Sequence, residues 1–236
     1  DGVTYEDMSE RLRQNYDGYH FAPNTGGMYN PFSILNVLAK QQFGSYWFET
    51  GTPTYLVELL KKNDYALEEM DNTIVGFETL SGIDATDTDA IPVIFQSGYL
   101  TIKDFNPRFQ SYTLGYPNKE VEMGFTKFLL PHYTASHGVR SAFEIQNFVR
   151  EVESGDIDGF FTRLRSFFSD TTYEVIRQQE LHYSNVLYIV FKLLGFYTQV
   201  EYHTNNGRID LVLQTPDYIY VMEFKLNGTA EEALRQ

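Results

Sequence analysis

Three ionisable residues near the end of the chain have types and spacing suited to metal chemistry: Asp210, Glu223 and Lys225. Asp210 sits in Ile209-Asp210-Leu211-Val212-Leu213. Glu223 and Lys225 flank Phe224 in Tyr220-Val221-Met222-Glu223-Phe224-Lys225. Both runs read as strands that are apolar on both faces. Residues two apart on a strand share a face, so Glu223 and Lys225 lie on one side. If Asp210 falls on that side of a neighbouring strand, two carboxylates and an ammonium meet. Burying such a group costs several kcal/mol unless the charges are paired or hold a metal. Two carboxylates can hold Mg²⁺ or Mn²⁺ together with substrate phosphate oxygens. The ion polarises a phosphoryl group and lowers the pKa of a bound water. A lysine beside it orients that water and offsets developing negative charge. This is the equipment for hydrolysing a phosphodiester.

The elements that must position these residues follow in a definite order. Glu180 to Leu194 has a helical apolar face through Leu187, Val190, Phe191 and Leu194, and Gly195 stops it. Tyr197 to His203, Arg208 to Leu213 and Tyr218 to Leu226 read as three strands. Asn205-Asn206-Gly207 and Thr215-Pro216-Asp217 turn between them. Thr229 caps a further helix with acids in its first turn. The expected core is helix, three-stranded meander, helix.

Upstream, the pattern is mainly helical. Thr4 opens a helix with acids behind it. Asn30-Pro31 and Thr52-Pro53 introduce two more, over Phe32 to Gln42 and Thr54 to Lys62. Thr86 to Asp89 cap a short apolar helix, Ala90 to Gln96. Strands at 99–102 and 111–114 surround an Asn106-Pro107 turn, and a helix runs from Asn118 to Tyr133. That hairpin between helices suggests a winged-helix-like unit, read as a packing element because it has few basic residues. Helices at 141–153 and 157–168 complete the chain. The predicted fold is mixed α+β. It has a mainly helical region with a small hairpin (1–133), a helical connector (134–175) and a core at 176–236 that is truncated at its C-terminal end.

The sequence Gly207-Arg208-Ile209-Asp210, followed by Glu223-Phe224-Lys225-Leu226 and Ala230-Glu231-Glu232-Ala233-Leu234-Arg235-Gln236, resembles the PD-(D/E)xK, or restriction-endonuclease-like, nuclease superfamily. More narrowly, it resembles a bacterial group in which this domain follows an AAA-ATPase-like region. Tyr16-Asp17-Gly18-Tyr19, Tyr29-Asn30-Pro31, Tyr46-Trp47, Ser97-Gly98-Tyr99-Leu100-Thr101 and Pro117-Asn118-Lys119-Glu120-Val121 extend that resemblance over nearly the whole chain. It implies Asp210 and Glu223 as metal ligands and Lys225 as the catalytic lysine. It also implies Glu180 as an assisting acid on the preceding helix and Gln236 as a residue lining the site. Arg208 is open between a phosphate contact and a structural pairing, and Glu201 is expected to pair with it. The implied cofactor is Mg²⁺ or Mn²⁺. The implied partners are nucleic acid, DNA foremost, and the ATPase-like region of the same protein. The Gly-x4-Gly-Lys-Ser/Thr phosphate loop of an ATPase does not occur in the sequence, and a fragment of a longer protein is expected.

Composition sets bounds on these readings. The net charge of −14 argues against tight, unaided binding to a phosphate backbone. It keeps a second reading open, an inactive nuclease-like fold serving as a binding or regulatory module. With no cysteine, disulfides, thiolate zinc sites and thiol catalysis are excluded. That fits a cytoplasmic location, and no apolar run is long enough to span a membrane. His182 and His203 read as structural, and the aromatic stripes at 16–32 and 183–197 read as core rather than base-stacking platforms.

Overall fold

In the computed structural model, residues 4–50, 54–81, 90–134, 140–168, 176–205 and 208–225 are described; the side-chain surroundings of 202–210 and 225 lie outside that description. The chain packs as two compact units, Asp1–Phe125 and Thr126–Gln236.

In the first unit, α1 (Tyr5–Tyr16) starts at Thr4, whose side chain accepts from Asp7 N–H while the Asp7 carboxylate takes the Thr4 N–H. This reciprocal cap satisfies amides that the first helical turn leaves without partners. Asn30 caps α2 (Pro31–Lys40) by accepting from Phe32 and Ser33 N–H, and the fixed φ of Pro31 suits the first helical position. The helix ends two residues before the expected Gln42, because Gln41 turns left-handed at φ 51°. Then come α3 (Thr54–Lys62), β1 (Thr73–Gly76), α4 (Phe77–Ser81), α5 (Ala90–Gln96), β2 (Thr101–Asn106) and β3 (Ser111–Gly115). The first sheet is antiparallel with order β1-β3-β2, and its β2–β3 register shifts between Ile102 and Asp104. The expected hairpin is therefore two-thirds of a sheet. The residues proposed to cap α5, Thr86 to Asp89, lie outside the described residues.

Helix α6 (Lys119–Tyr133) follows, with Val121 N–H donating to the Asn118 side chain at its start. The second unit holds α7 (Arg140–Ser154), α8 (Ile157–Phe168), α9 (Ile176–Leu194), β4 (Gln199–Asn205), β5 (Arg208–Gln214) and β6 (Ile219–Lys225). Helix α9 begins earlier than the expected Glu180. Its Val186, Ile189, Val190, Leu193 and Leu194 are all fully buried. The second sheet has order β4-β5-β6, antiparallel throughout and without a register shift. At the β5–β6 turn, Thr215 N–H donates to Tyr218 O and Tyr218 N–H to Thr215 Oγ1. Asn205 pairs with Arg208, so two residues join β4 to β5. Those two, Asn206 and Gly207, and the helix expected after Thr229 lie outside the described residues.

Only one face of the second sheet is apolar core, which corrects the expectation that both faces are. Leu211 and Leu213 are fully buried and Met222 nearly so. Phe224 meets Phe191 of α9 at 5.6 Å between ring centres and Phe161 of α8 at 6.5 Å. The Tyr220 hydroxyl donates to Val152 O at 2.8 Å. The alternate positions look outward: Val221 is 79% and Ile219 67% exposed. Alternation along each strand, rather than apolar content, separates the two faces.

Candidate functional site

The register of the second sheet supplies the site's frame. Asp210 is directly opposite Glu223, and Arg208 is directly opposite Lys225. On the other side of β5, His203 is opposite Asp210 and Asn205 is opposite Arg208. Directly opposed residues share a face, with Cβ atoms about 4.5–5.5 Å apart. One row across three strands therefore reads His203, Asp210, Glu223, and the next reads Asn205, Arg208, Lys225. These rows belong to the face opposite Leu211, Leu213 and Met222. Glu223 is half-buried there.

The pairing is electrostatically unusual. An acid faces an acid and, one row on, a base faces a base. Like charges directly opposite destabilise a sheet. Two arrangements relieve this. A divalent cation between positions 210 and 223 neutralises the acids and leaves the bases to meet an anion. Alternatively, diagonal partners, Asp210 with Lys225 and Arg208 with Glu223, are about 7–8 Å apart and within reach of long side chains. Two carboxylate positions so placed fit a hard cation that takes one or two protein carboxylates. Among the described residues, no group of three or more His, Asp or Glu is arranged to hold a metal; the Asp210 side chain is not among them.

Other expected site residues fall less centrally. Glu180 lies in the first part of α9 and is half-buried. Gln236 lies outside the described residues. Glu201 is exposed and faces Val212, not Arg208. Arg208 is four residues further along β5, roughly 13 Å at the usual strand rise, which removes the expected Glu201–Arg208 pair. His203, read from the sequence as structural, shares the row of Asp210. Its spacing of two from Glu201 and Asn205 was the available signal, but only the register shows which partner each position meets. His182 is stacked on Tyr133 at 6.5 Å and edge-on to Phe168, a packing environment.

Beside the sheet, Arg163 is held between two glutamates of α7. It bonds Glu151 through Nη2 at 2.6 Å and Nε at 2.8 Å, and it also contacts Glu144. Its hydrogen bonds to Glu151, opposed by partial desolvation, raise the guanidinium pKa further, so this cation is a fixed structural tie.

This strand frame agrees with comparison to known proteins. Residues 178–236 match the family model described as the PD-(D/E)XK nuclease superfamily, and that part of the chain is a domain of this superfamily. The chain is also 30% identical, over 229 residues, to an uncharacterized protein in the vnfD 5' region of Azotobacter chroococcum mcd 1. That alignment takes in 92% of this chain and 43% of the relative, so the chain spans less than half of that protein's length. No solved structure matches the chain. The family match does not reach residues 1–177, and the ATPase-like reading of residues 1–133 rests on sequence resemblance alone. No helix among the described residues is long and apolar enough to cross a membrane.

Proposed function

We propose that the chain carries a metal-dependent phosphodiesterase site acting on nucleic acid, DNA foremost. The observation that carries this reading is the register: Asp210 opposite Glu223, with Arg208 opposite Lys225 in the next row. Asp210 and Glu223 would hold Mg²⁺ or Mn²⁺, which when bound supplies Lewis-acid polarisation of the phosphoryl group and an acidified water. Lys225 stabilises charge developing on the phosphoryl oxygens, and Arg208 anchors a neighbouring phosphate. Glu180 and Gln236 are assigned supporting places around the site. In the full protein the domain works with an ATPase-like region upstream. There, the helix, hairpin and helix over residues 90–133 are read as a winged-helix-like packing unit.

The test uses the full-length protein with supercoiled plasmid and with single-stranded RNA, with and without Mg²⁺ or Mn²⁺. Cleavage that needs the metal and disappears in Asp210→Ala and Lys225→Ala is the expected result. DNA cut in preference to RNA supports the substrate assignment. The second reading, an inactive binding module, is favoured by the available diagonal ion pairs and by the net charge of −14. Absence of both cleavage and any metal-dependent rise in melting temperature decides for it.

A further inference from the structure

The aromatic residues between Tyr16 and Phe32 do not all enter a core. Tyr16 does, packed with Val37 and Tyr46. Beyond it, the chain turns out through Gly18 at φ +110°, where a Cβ would lie 2.2 Å from Pro117 O. The loop that follows is tied by an antiparallel bridge, with Tyr19 N–H to Met28 O at 3.2 Å and Met28 N–H to Tyr19 O at 3.0 Å. Tyr19, Phe21 and Tyr29 of this loop, with Trp47 and Phe95, wall a cavity of about 550 Å³ within the first unit. Such a volume is typical of small-molecule sites. Gly98, at φ +80°, forms part of the floor; a Cβ there would touch Trp47 at 3.5 Å and Tyr19 at 3.8 Å.

The cavity's polarity restricts its occupant. Among the described residues no lysine or arginine lines it, so that lining offers no cation to balance a phosphate. Burial pushes the Tyr19 phenol up to about 12, keeping it uncharged. His20 also lines the cavity, and its placement is fixed. Its N–H donates to Thr101 Oγ1 at 2.7 Å, and that hydroxyl donates back to His20 O at 3.0 Å. Its Nδ1 lies 2.8 Å from Thr25 O. A carbonyl only accepts, so Nδ1 carries the hydrogen, which leaves Nε2 as the ring nitrogen able to accept. Flat aromatic walls with a ring-nitrogen acceptor among the lining residues suit a flat ring bearing an N–H.

We infer that this cavity binds an uncharged, planar nitrogen heterocycle with an N–H donor, the nucleobase class, stacked on the aromatic walls and hydrogen-bonded to His20. The base can come from a free nucleoside or from an unpaired position in a single strand. This assignment does not depend on the nuclease reading, because adenosine contains no phosphodiester bond.

Trp47 lines the cavity and is the sole tryptophan of these 236 residues, so the part of the emission lost in Trp47→Phe reports occupancy. Titration of the full-length protein with adenosine is expected to quench it saturably. Phe21→Ala should weaken that binding about 5- to 100-fold, the usual effect of removing one stacking partner. Phe21 is 73% exposed, so this variant tests the wall without threatening the fold. His20→Ala should weaken it about tenfold, the value of one hydrogen bond, with melting temperature checked alongside. A parallel titration with a short oligodeoxyadenylate, single-stranded and in a matched duplex, identifies the source. Equal or tighter binding of the single strand points to an unpaired base, and binding of adenosine alone points to a free ligand. No quenching by either at millimolar concentration overturns the inference, as does undiminished affinity in both variants.

Discussion

The two sheets are both three-stranded and antiparallel, yet they handle charge in opposite ways. In the first, strands of four to six residues meet across a register shift, and Asp104 faces Thr113. In the second, three strands of seven residues stay in register from end to end, and acid faces acid beside base facing base. A bulge relaxes local pairing and re-aims side chains. An unbroken ladder holds opposed groups in place even where their charges repel. The second sheet therefore keeps like residue types opposite one another along its register, the feature on which the proposed metal site rests.

The strongest way to break this contrast is at Asp210. Asp210→Ala should lower metal-dependent cleavage by a hundredfold or more, roughly the effect of losing a principal electrostatic contact in a transition state. It should also abolish any metal-induced rise in melting temperature, while melting without metal stays level or improves because a like-charge pair is gone. A lower metal-free melting temperature would show that Asp210 is engaged in a stabilising ion cluster instead.

The next effect separates the two faces of the second sheet. Leu211 is fully buried and Val221 is 79% exposed. Leu211→Ala should cost about 2–5 kcal/mol in chemical denaturation. Val221→Ala should stay within about 0.5 kcal/mol. Equal costs would mean that both faces are covered.

Arg163→Ala removes a cation from two glutamates at a site 24% exposed. After allowance for solvent screening, the loss should be about 1 kcal/mol, shrinking in high salt. If salt leaves it unchanged, packing on Phe148, 5.8 Å away, is the larger part.

The smallest effect lies in the first unit. Glu120 is nearly fully buried, and its Oε1 accepts Trp47 N–H at 3.0 Å. Burial raises its carboxyl pKa above the ordinary 4.5, against the lowering from the Trp47 hydrogen bond. The folded state thus keeps this proton to higher pH than the unfolded chain does. Its contribution is present below the unfolded value and is lost as pH rises through the folded one. Glu120→Gln keeps the acceptor and removes the titration. Melting temperature followed upward from pH 4.5 should fall less in this variant than in the parent.

Much of this architecture was legible in the sequence, for local reasons. Helix starts at Thr4 and Asn30-Pro31 are set by side chains within three residues. The Thr215 turn and the three strands of the second sheet follow from β-branched and aromatic runs set between turn residues. The face assignment was not legible. Val212 and Val221 look as apolar as Leu211 and Met222, and only pairing and helix packing distinguish them. Strand β1 was missed because four residues carry little pattern and its partner β3 begins at Ser111. The aromatic stripe after Tyr16 reads as core, which suits the partly buried Tyr19; composition does not report that Phe21, two residues on, is exposed. Asp210 and Glu223 were found by type and spacing, but that they face each other, and that His203 completes their row, is a property of the register.

The unbroken register of the second sheet has a further consequence, for self-association. Among the described residues β4 and β6 form its margins, and Ile219 and Val221 stand exposed on β6. An in-register edge strand with exposed apolar side chains is a template on which another chain can add. The excess of negative charge, −14 over the whole chain, sets copies against one another and opposes such stacking. The same acidity that weakens attraction to a phosphate backbone thus helps keep a sheet this regular from polymerising.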